Sequence, residues 1–195
     1  MYGMVMNAIE QMAKARLGDS GWRSICESAG LEKSVFLAMS AYPDEVTFAL
    51  AGATAEALDL PMATFLEEFG RFWIPFARDS AYGPMLRQSK TLLGCLERLD
   101  QMHSQIGRAM PHLKPPSFAV ESDAAGITVR YFSERQGLTP FVLGLLHGLA
   151  DLFSESVEIR HVAPRSPSQG YEEFRLEHLA AAPAPESGLR TLAEA

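Results

Sequence analysis

The chain changes its period at Pro115–Pro116. Upstream of that pair, apolar residues recur at three- and four-residue intervals; downstream they alternate. Two consecutive prolines cannot sit inside a helix, because each lacks the N–H that the helix needs and the residue before a proline is pushed towards extended backbone. Helices must therefore end before this point and strands begin after it. That order, helices first and strands second, describes an α+β domain in which a helical N-terminal half packs on a sheet.

In the helical half, Tyr2, Val5, Ile9 and Met12 share one face, with Asn7, Glu10, Gln11 and Lys14 between them, so the spacing predicts a first helix ending near Gly18. A second covers Trp22–Ala29, with Gly30 as its stop. Pro43 and Asp44 suit the first turn of a helix reaching about Leu58, and Pro61 opens another, PMATFLEEFGRFWIPF. The aromatic residues of this last helix, Phe65, Phe69, Phe72, Trp73 and Phe76, fit either a packed core or, at Trp73 especially, the wall of an apolar pocket. A turn at Ser80–Pro84 leads into the longest helix, Leu86 to about Met110, which exits through Pro111.

Beyond Pro116 the pattern predicts strands at Ser117–Glu121 and Ile127–Ser133 joined by a turn at Asp123–Gly126, then a helix over Phe141–Phe153 with Thr139 as N-cap and Pro140 at its first position. Strands at Val157–Ala163 and Tyr171–Leu179 follow, around a loop at 164–170. The expected fold is a four-stranded, mostly antiparallel sheet with one inserted helix, packed against the helical half, over residues 1–179. The small-residue, proline-containing stretch 180–195 is expected to be a disordered tail.

Composition narrows the function. The net charge is -7 and no lysine–arginine run is present, which argues against nucleic acid as the main partner. Two distant cysteines, Cys26 and Cys95, form no CxxC pair, and both sit in apolar helical patterns where a structural role fits. Reduced thiols, no signal-peptide pattern and no apolar run of membrane-spanning length lead to the expectation of a cytoplasmic protein. With no catalytic output domain recognisable in the sequence, the chain is expected to act on another polypeptide rather than to be an enzyme.

Two groups of residues carry chemistry. His103 lies on the apolar face of the long helix, four residues after Leu99 and seven after Leu96. A lone histidine on such a face is ordinarily part of the core, but a buried neutral imidazole is also a good ligand for ferrous iron. None of the other histidines forms a close ligand pair with a neighbour. Asp100, three residues earlier, points to the polar side, so no carboxylate on the helix is set to sharpen the imidazole as a ligand. Tyr131, Ser133 and Arg135 stand at alternate positions; on extended backbone they would share a face and converge on an anionic group, with Arg135 gripping a carboxylate in a bidentate fork. A histidine ligand and a carboxylate clamp are together what a protein needs to hold haem b.

The opening MYGMVMNAIE, the helical His103 with its proline-rich exit, and Tyr131-x-Ser133-x-Arg135 together resemble the haem nitric oxide/oxygen-binding (H-NOX) family, over roughly Met1 to Leu179. The resemblance implies that His103 is the axial ligand of haem iron, that Tyr131, Ser133 and Arg135 bind the propionates, and that Pro115 presses on the porphyrin, with Pro116 as the one-residue alternative. It places Val5, Ile9, Trp73 and Leu145 on the distal wall. Family members that hold oxygen carry a tyrosine on the helix after the clamp, and TPFVLGLLHGLADLF has none. The resemblance therefore implies a sensor that binds nitric oxide and carbon monoxide and excludes oxygen, signalling as the iron–His103 bond weakens or breaks. His147 is the residue that could supply an unexpected distal donor. The partners implied are a histidine kinase or a diguanylate cyclase/phosphodiesterase in trans. Two other readings stay open: a haem-free apolar-ligand-binding or scaffold domain, and a haem redox enzyme.

Overall fold

The structure, a computed structural model, describes residues 1–179 apart from 33, 34, 81, 111, 113 and 167. Pro111 and the expected tail at 180–195 lie outside the described residues. Among the described residues, six helices and four strands follow one another as α1 (Gly3–Ser28), α2 (Asp44–Ala57), α3 (Met62–Arg78), α4 (Gly83–Gln88), α5 (Leu92–Ala109), β1 (Ser117–Asp123), β2 (Gly126–Phe132), α6 (Thr139–Phe153), β3 (Val157–Ala163) and β4 (Glu172–His178). The period change at the proline pair is thus a true boundary: α5 ends before it and β1 begins directly after it.

Several element edges differ from expectation, each for a local reason. The first two expected helices are one element kinked at Gly18, whose φ of 70° only glycine adopts at no cost. The long helix does not start at Leu86. That residue belongs to a short helix, α4, which ends at Gln88; Ser89 then turns extended, so α5 starts at Leu92. Two side chains cap the new start. Thr91 Oγ1 accepts from Gly94 N at 3.1 Å, and Glu155 Oε1, from beyond α6, accepts from Leu92 N at 2.8 Å. Replacing Thr91 with alanine is expected to cost about 0.5–2 kcal/mol, the ordinary cost of losing an N-cap, read as a lower urea midpoint at unchanged slope. Thr139 is not an N-cap: Leu138 holds that position, and the Thr139 hydroxyl donates to Glu172 Oε2 at 2.5 Å, tying the start of α6 to β4.

The sheet has the order β1-β2-β4-β3, and every pairing is antiparallel. Its inner face is Ile127, Val129 and Tyr131 of β2 with Phe174 and Leu176 of β4, all buried. Its outer face carries paired charges, with Arg130 held between Glu121 and Glu173. The buried residues form two cores. One unites α1, α2 and the first half of α3; the other unites the end of α3, α4, α5, α6 and the sheet. Helices α3 and α6 cross between them at close range. A Cβ on Gly144 would lie 2.0 Å from the Glu67 carbonyl oxygen, and one on Gly70 would lie 2.3 Å from that of Phe141. Hydrogen in place of a side chain at both positions lets the two backbones touch, which seats the cavity described next between the two cores.

Candidate functional site

One large cavity takes its wall from both cores: Ile9, Ala51, Leu66 and Phe69 from the first, Ile74, Tyr131, Val142 and Leu146 from the second. Of the residues singled out in the sequence, Val5, Ile9, Trp73, Leu145, His103, Pro115, Tyr131 and Arg135 all line it. Ser133 does not, and neither does His147. The aromatic run of α3 divides between the two roles the sequence left open: Phe65 is fully buried and stacks on Phe69 at 5.9 Å, while Phe69 and Trp73 reach the cavity.

His103 is set by its own helix. Its Nδ1 lies 2.9 Å from the Leu99 carbonyl oxygen, one turn back, and its ring packs on Phe118 at 5.4 Å. A carbonyl accepts only, so Nδ1 carries the proton and Nε2 keeps its lone pair. No group among the described residues takes that nitrogen. Burial pushes the imidazole pKa down, against smaller opposing effects of the Leu99 carbonyl and Asp100, so the ring is neutral. Asp100 does not bond the imidazole, but neither does it face the polar side as expected: half-buried, its Oδ1 accepts from Phe118 N at 3.0 Å and fastens α5 to β1.

The clamp is built differently from the expected strand. β2 ends at Phe132, so Ser133 and Arg135 lie beyond it, and a shared strand face is not what brings the three residues together. A turn does so instead. Ser133 Oγ accepts from Arg135 N at 3.1 Å, and Tyr131 lies close enough to both to feel them electrostatically. Burial drives the Tyr131 phenol pKa up, so it stays a neutral donor.

The Arg135 fork is occupied within the protein. Nε donates to Asp44 Oδ2 at 2.8 Å and Nη2 to Asp44 Oδ1 at 3.1 Å, while Nη1 donates to the Lys114 carbonyl at 2.7 Å. The amino group of Met1 reaches the same carboxylate at 2.7 Å. Burial alone would raise the Asp44 pKa, but Arg135 and the amino terminus outweigh it and hold the carboxyl below its usual range. The clamp is thus already a carboxylate site, with Asp44 in the bidentate seat expected for a propionate; a second carboxylate would use the remaining N–H edges of the guanidinium.

Pro115 and Pro116 both line the cavity, and packing separates them. A Cβ on Gly107, one turn after His103, would lie 3.2 Å from Pro115 Cγ. Pro115 is therefore wedged between α5 and the cavity. Gly107→Ala is expected to push Pro115 inward by a few tenths of an ångström. The check is resonance Raman of haem-loaded protein, where the out-of-plane porphyrin modes should change in intensity; a spectrum identical to the parent's would contradict this packing.

Two phenols that spacing alone did not mark as part of the site stand in the wall. Tyr2 and Tyr82 both line the cavity, and Tyr82 packs on Trp73 at 6.2 Å. Burial, and then the neighbouring Tyr2, drive the Tyr82 pKa far up. The wall near the expected distal residues is therefore less uniformly apolar than the sequence suggested. His147, the expected exception, lies off the wall: burial and the nearby Arg71 lower its pKa, with Glu67 and Asp151 opposing.

A single imidazole with a free nitrogen, apolar walls and a carboxylate clamp on one cavity fit haem, a flat apolar ring with iron at its centre and two carboxylates at its edge. Among the described residues no group of three His, Cys, Asp or Glu side chains comes together to hold a bare metal ion. The chain belongs to the haem-NO-binding family, whose pattern it matches over residues 2–161. Its fold is that of the H-NOX proteins. An H-NOX protein from S. oneidensis in the Fe(II)NO ligation state superposes with a TM-score of 0.81 at 20% identity, covering 92% of this chain and 100% of that one. The unliganded Fe(II) H-NOX protein from K. algicida gives 0.77 at 20% identity, over 92% and 97%. By sequence, the chain is similar to the soluble guanylate cyclase gcy-35 of Caenorhabditis elegans, 26% identical over 92% of this chain and 27% of that protein. It is also similar to soluble guanylate cyclase subunit beta-2 of Rattus norvegicus, 34% identical over 49% of this chain and 14% of that subunit. The chain spans about a quarter or less of the length of these cyclases. No helix among the described residues is long and apolar enough to cross a membrane.

Proposed function

We propose that this chain is a haem-based gas sensor that binds nitric oxide, also takes carbon monoxide, and excludes oxygen. The observation that carries the reading is that a neutral imidazole with a free Nε2 and an arginine already gripping a carboxylate open onto the same apolar cavity. Haem b, when bound, would supply a ferrous iron able to take a diatomic gas. His103 would hold that iron through Nε2. Its second nitrogen rests on a neutral carbonyl, so the imidazole keeps little anionic character and would be only a moderately strong ligand for that iron. Tyr131 and Arg135 would hold the propionates, with Ser133 bracing the turn that carries Arg135, and Pro115 would meet the ring from the α5 side.

Signalling follows from what the clamp holds. Arg135 joins the β2 exit to Asp44 at the start of α2 and, through it, to the amino terminus before α1. A shift of α5 or of the ring against this linkage changes the preferred seat of the N-terminal helices, a two-state element that a ligand with differential affinity biases. The partner class we propose is a histidine kinase or a diguanylate cyclase/phosphodiesterase acting in trans.

Oxygen exclusion rests on the lack of a free donor on the wall from α6, where Phe141, Val142, Leu145 and Leu146 are all apolar. The Tyr2 and Tyr82 hydroxyls favour a second reading, in which one of them turns inward and holds oxygen. Ferrous protein is exposed separately to nitric oxide, carbon monoxide and air. Complexes with the first two and none with oxygen support the sensor as proposed. A stable oxygen complex that disappears in Tyr2→Phe would establish the second reading instead.

A further inference from the structure

Helix α2 buries two threonines, Thr47 at 2% exposure and Thr54 at 0%. The Thr54 hydroxyl donates to the Leu50 carbonyl, one turn back, at 2.7 Å. A buried hydroxyl in a helix ordinarily takes that bond or another, because leaving it unmade costs the desolvation of the group. Thr47 forgoes it: its Oγ1 is buried and has no hydrogen-bond partner among the described residues. Thr47 also lines the cavity, which Thr54 does not. Phe48 and Ala51, beside it on the same wall, have no polar side-chain atom to offer. Asp44, three residues earlier, fills the Arg135 fork at 2.8 and 3.1 Å. On a helix that offset keeps Thr47 on the same side, about 4.5 Å further along the axis. It is the first residue of α2 to reach the cavity beyond the clamp. A helical threonine divides between two χ1 rotamers, so one rotation exchanges its methyl and hydroxyl at the wall.

We propose that Thr47 is a further carboxylate-binding residue of the cavity, its hydroxyl donating to a propionate of bound haem beside Arg135, an inference that rests on the haem reading above. A carboxylate accepts only and a hydroxyl has one proton to give, so the bond is charge-assisted and roughly twice as strong as a neutral one. Asp44 keeps the two-point seat of the guanidinium, which leaves a propionate the outer N–H edges and a need for a second donor. Thr47 supplies that donor from α2. Without haem the hydroxyl stays buried and unpaired, so its whole favourable contribution falls on the loaded state.

Two threonines in one helix give the test its control. Thr47→Val keeps the shape and removes the hydroxyl, Thr47→Ser keeps the hydroxyl, and Thr54→Val removes a hydroxyl that is already bonded. Haem loss to apomyoglobin should be faster by about ten-fold in Thr47→Val, the effect of one hydrogen bond to a charged group. It should stay at the parent rate in Thr47→Ser and Thr54→Val. With haem dimethyl ester, whose carboxylates are neutralised, parent and Thr47→Val should lose the ring at the same rate. The haem-free chain gives an independent readout: the urea midpoint of Thr47→Val should equal or exceed the parent's, while that of Thr54→Val falls. Equal haem loss in parent and Thr47→Val would overturn the assignment. So would a haem-free Thr47→Val destabilised as much as Thr54→Val, which would mean the hydroxyl is already satisfied. A shifted carbon monoxide stretching frequency in Thr47→Val would overturn it as well, by placing the hydroxyl at the gas instead of the propionate. A parent chain that takes up no haem would overturn the haem reading and this inference together, whereas a parent that loads haem beside an unaffected Thr47→Val overturns this inference alone.

Discussion

Replacing His103 with glycine should weaken haem binding by more than the ~10–100-fold that loss of a partner one shell further out typically costs. The same variant should recover a ferrous spectrum of the parent type when imidazole is supplied at millimolar concentration. The expectation follows from geometry. His103 is the one imidazole on the cavity wall, its Nδ1 is committed to the Leu99 carbonyl, and Nε2 has no partner among the described residues. Glycine leaves a space of the right shape beside Phe118, and free imidazole carries the same lone pair. The depressed pKa sets the pH behaviour as well. A histidine whose folded pKa lies below its unfolded value disfavours protonation in the folded state, so neutral His103 persists to lower pH than a free imidazole would. Haem release by proton competition should therefore begin below about 6.5, the ordinary histidine pKa. Spectra of His103→Gly with and without imidazole, across pH, check both points; a variant that keeps haem as tightly as the parent would remove His103 from the site.

Arg135→Ala and Asp44→Asn should move haem retention in opposite directions. Arg135→Ala removes the cation from Asp44, from the Lys114 carbonyl and from the propionates, so haem loss to an acceptor such as apomyoglobin should accelerate by about 10–100-fold. Asp44→Asn weakens the grip on the Arg135 fork and frees it for haem, so haem should be held as well or better while the protein itself becomes less stable. The stability cost should be about 1 kcal/mol, the upper end for exposed ion pairs, since Asp44 remains 34% exposed. Arg135→Lys should not rescue retention, because an ammonium cannot reproduce the two-point fork. The sign with pH follows from the depressed Asp44 pKa. The contribution is fully present above about 3.9, the ordinary aspartate value, and is lost as pH falls through the lower folded value. Haem-transfer rates and urea midpoints of the two variants and their double mutant test this; both variants losing haem alike would mean that Asp44 supports the clamp rather than competing for it.

The fold was readable because its main constraint is local. Proline chemistry at residues 115–116 and the switch from helical to alternating spacing need no tertiary information, and β3 lies over the expected Val157–Ala163. The errors arose where a distant partner decides. Leu86 to Met110 reads as one amphipathic run, yet the cap that starts α5 at Leu92 comes partly from Glu155, 63 residues on. Thr139 has the composition of an N-cap, but Glu172 claims its hydroxyl. The site shows the same division. His103 and the four expected distal residues reach one cavity from the helix faces their spacing indicated, whereas Arg135 reaches it from a turn beyond β2 and not from a strand face. Asp44 was legible only as a first-turn residue of α2, since its partner Arg135 is 91 residues away. Tyr2 looked like one more apolar-face residue and Tyr82 like part of a turn; nothing local announces that both line the same cavity.

The most direct test of the account is a titration of haem into the haem-free chain under reducing, anaerobic conditions, followed in the Soret region. Saturation at one haem per chain with a five-coordinate ferrous spectrum is the result the account predicts. A titration that never saturates, or a spectrum unchanged between the parent and His103→Gly, would contradict it and leave an apolar pocket with a carboxylate clamp for some other ligand.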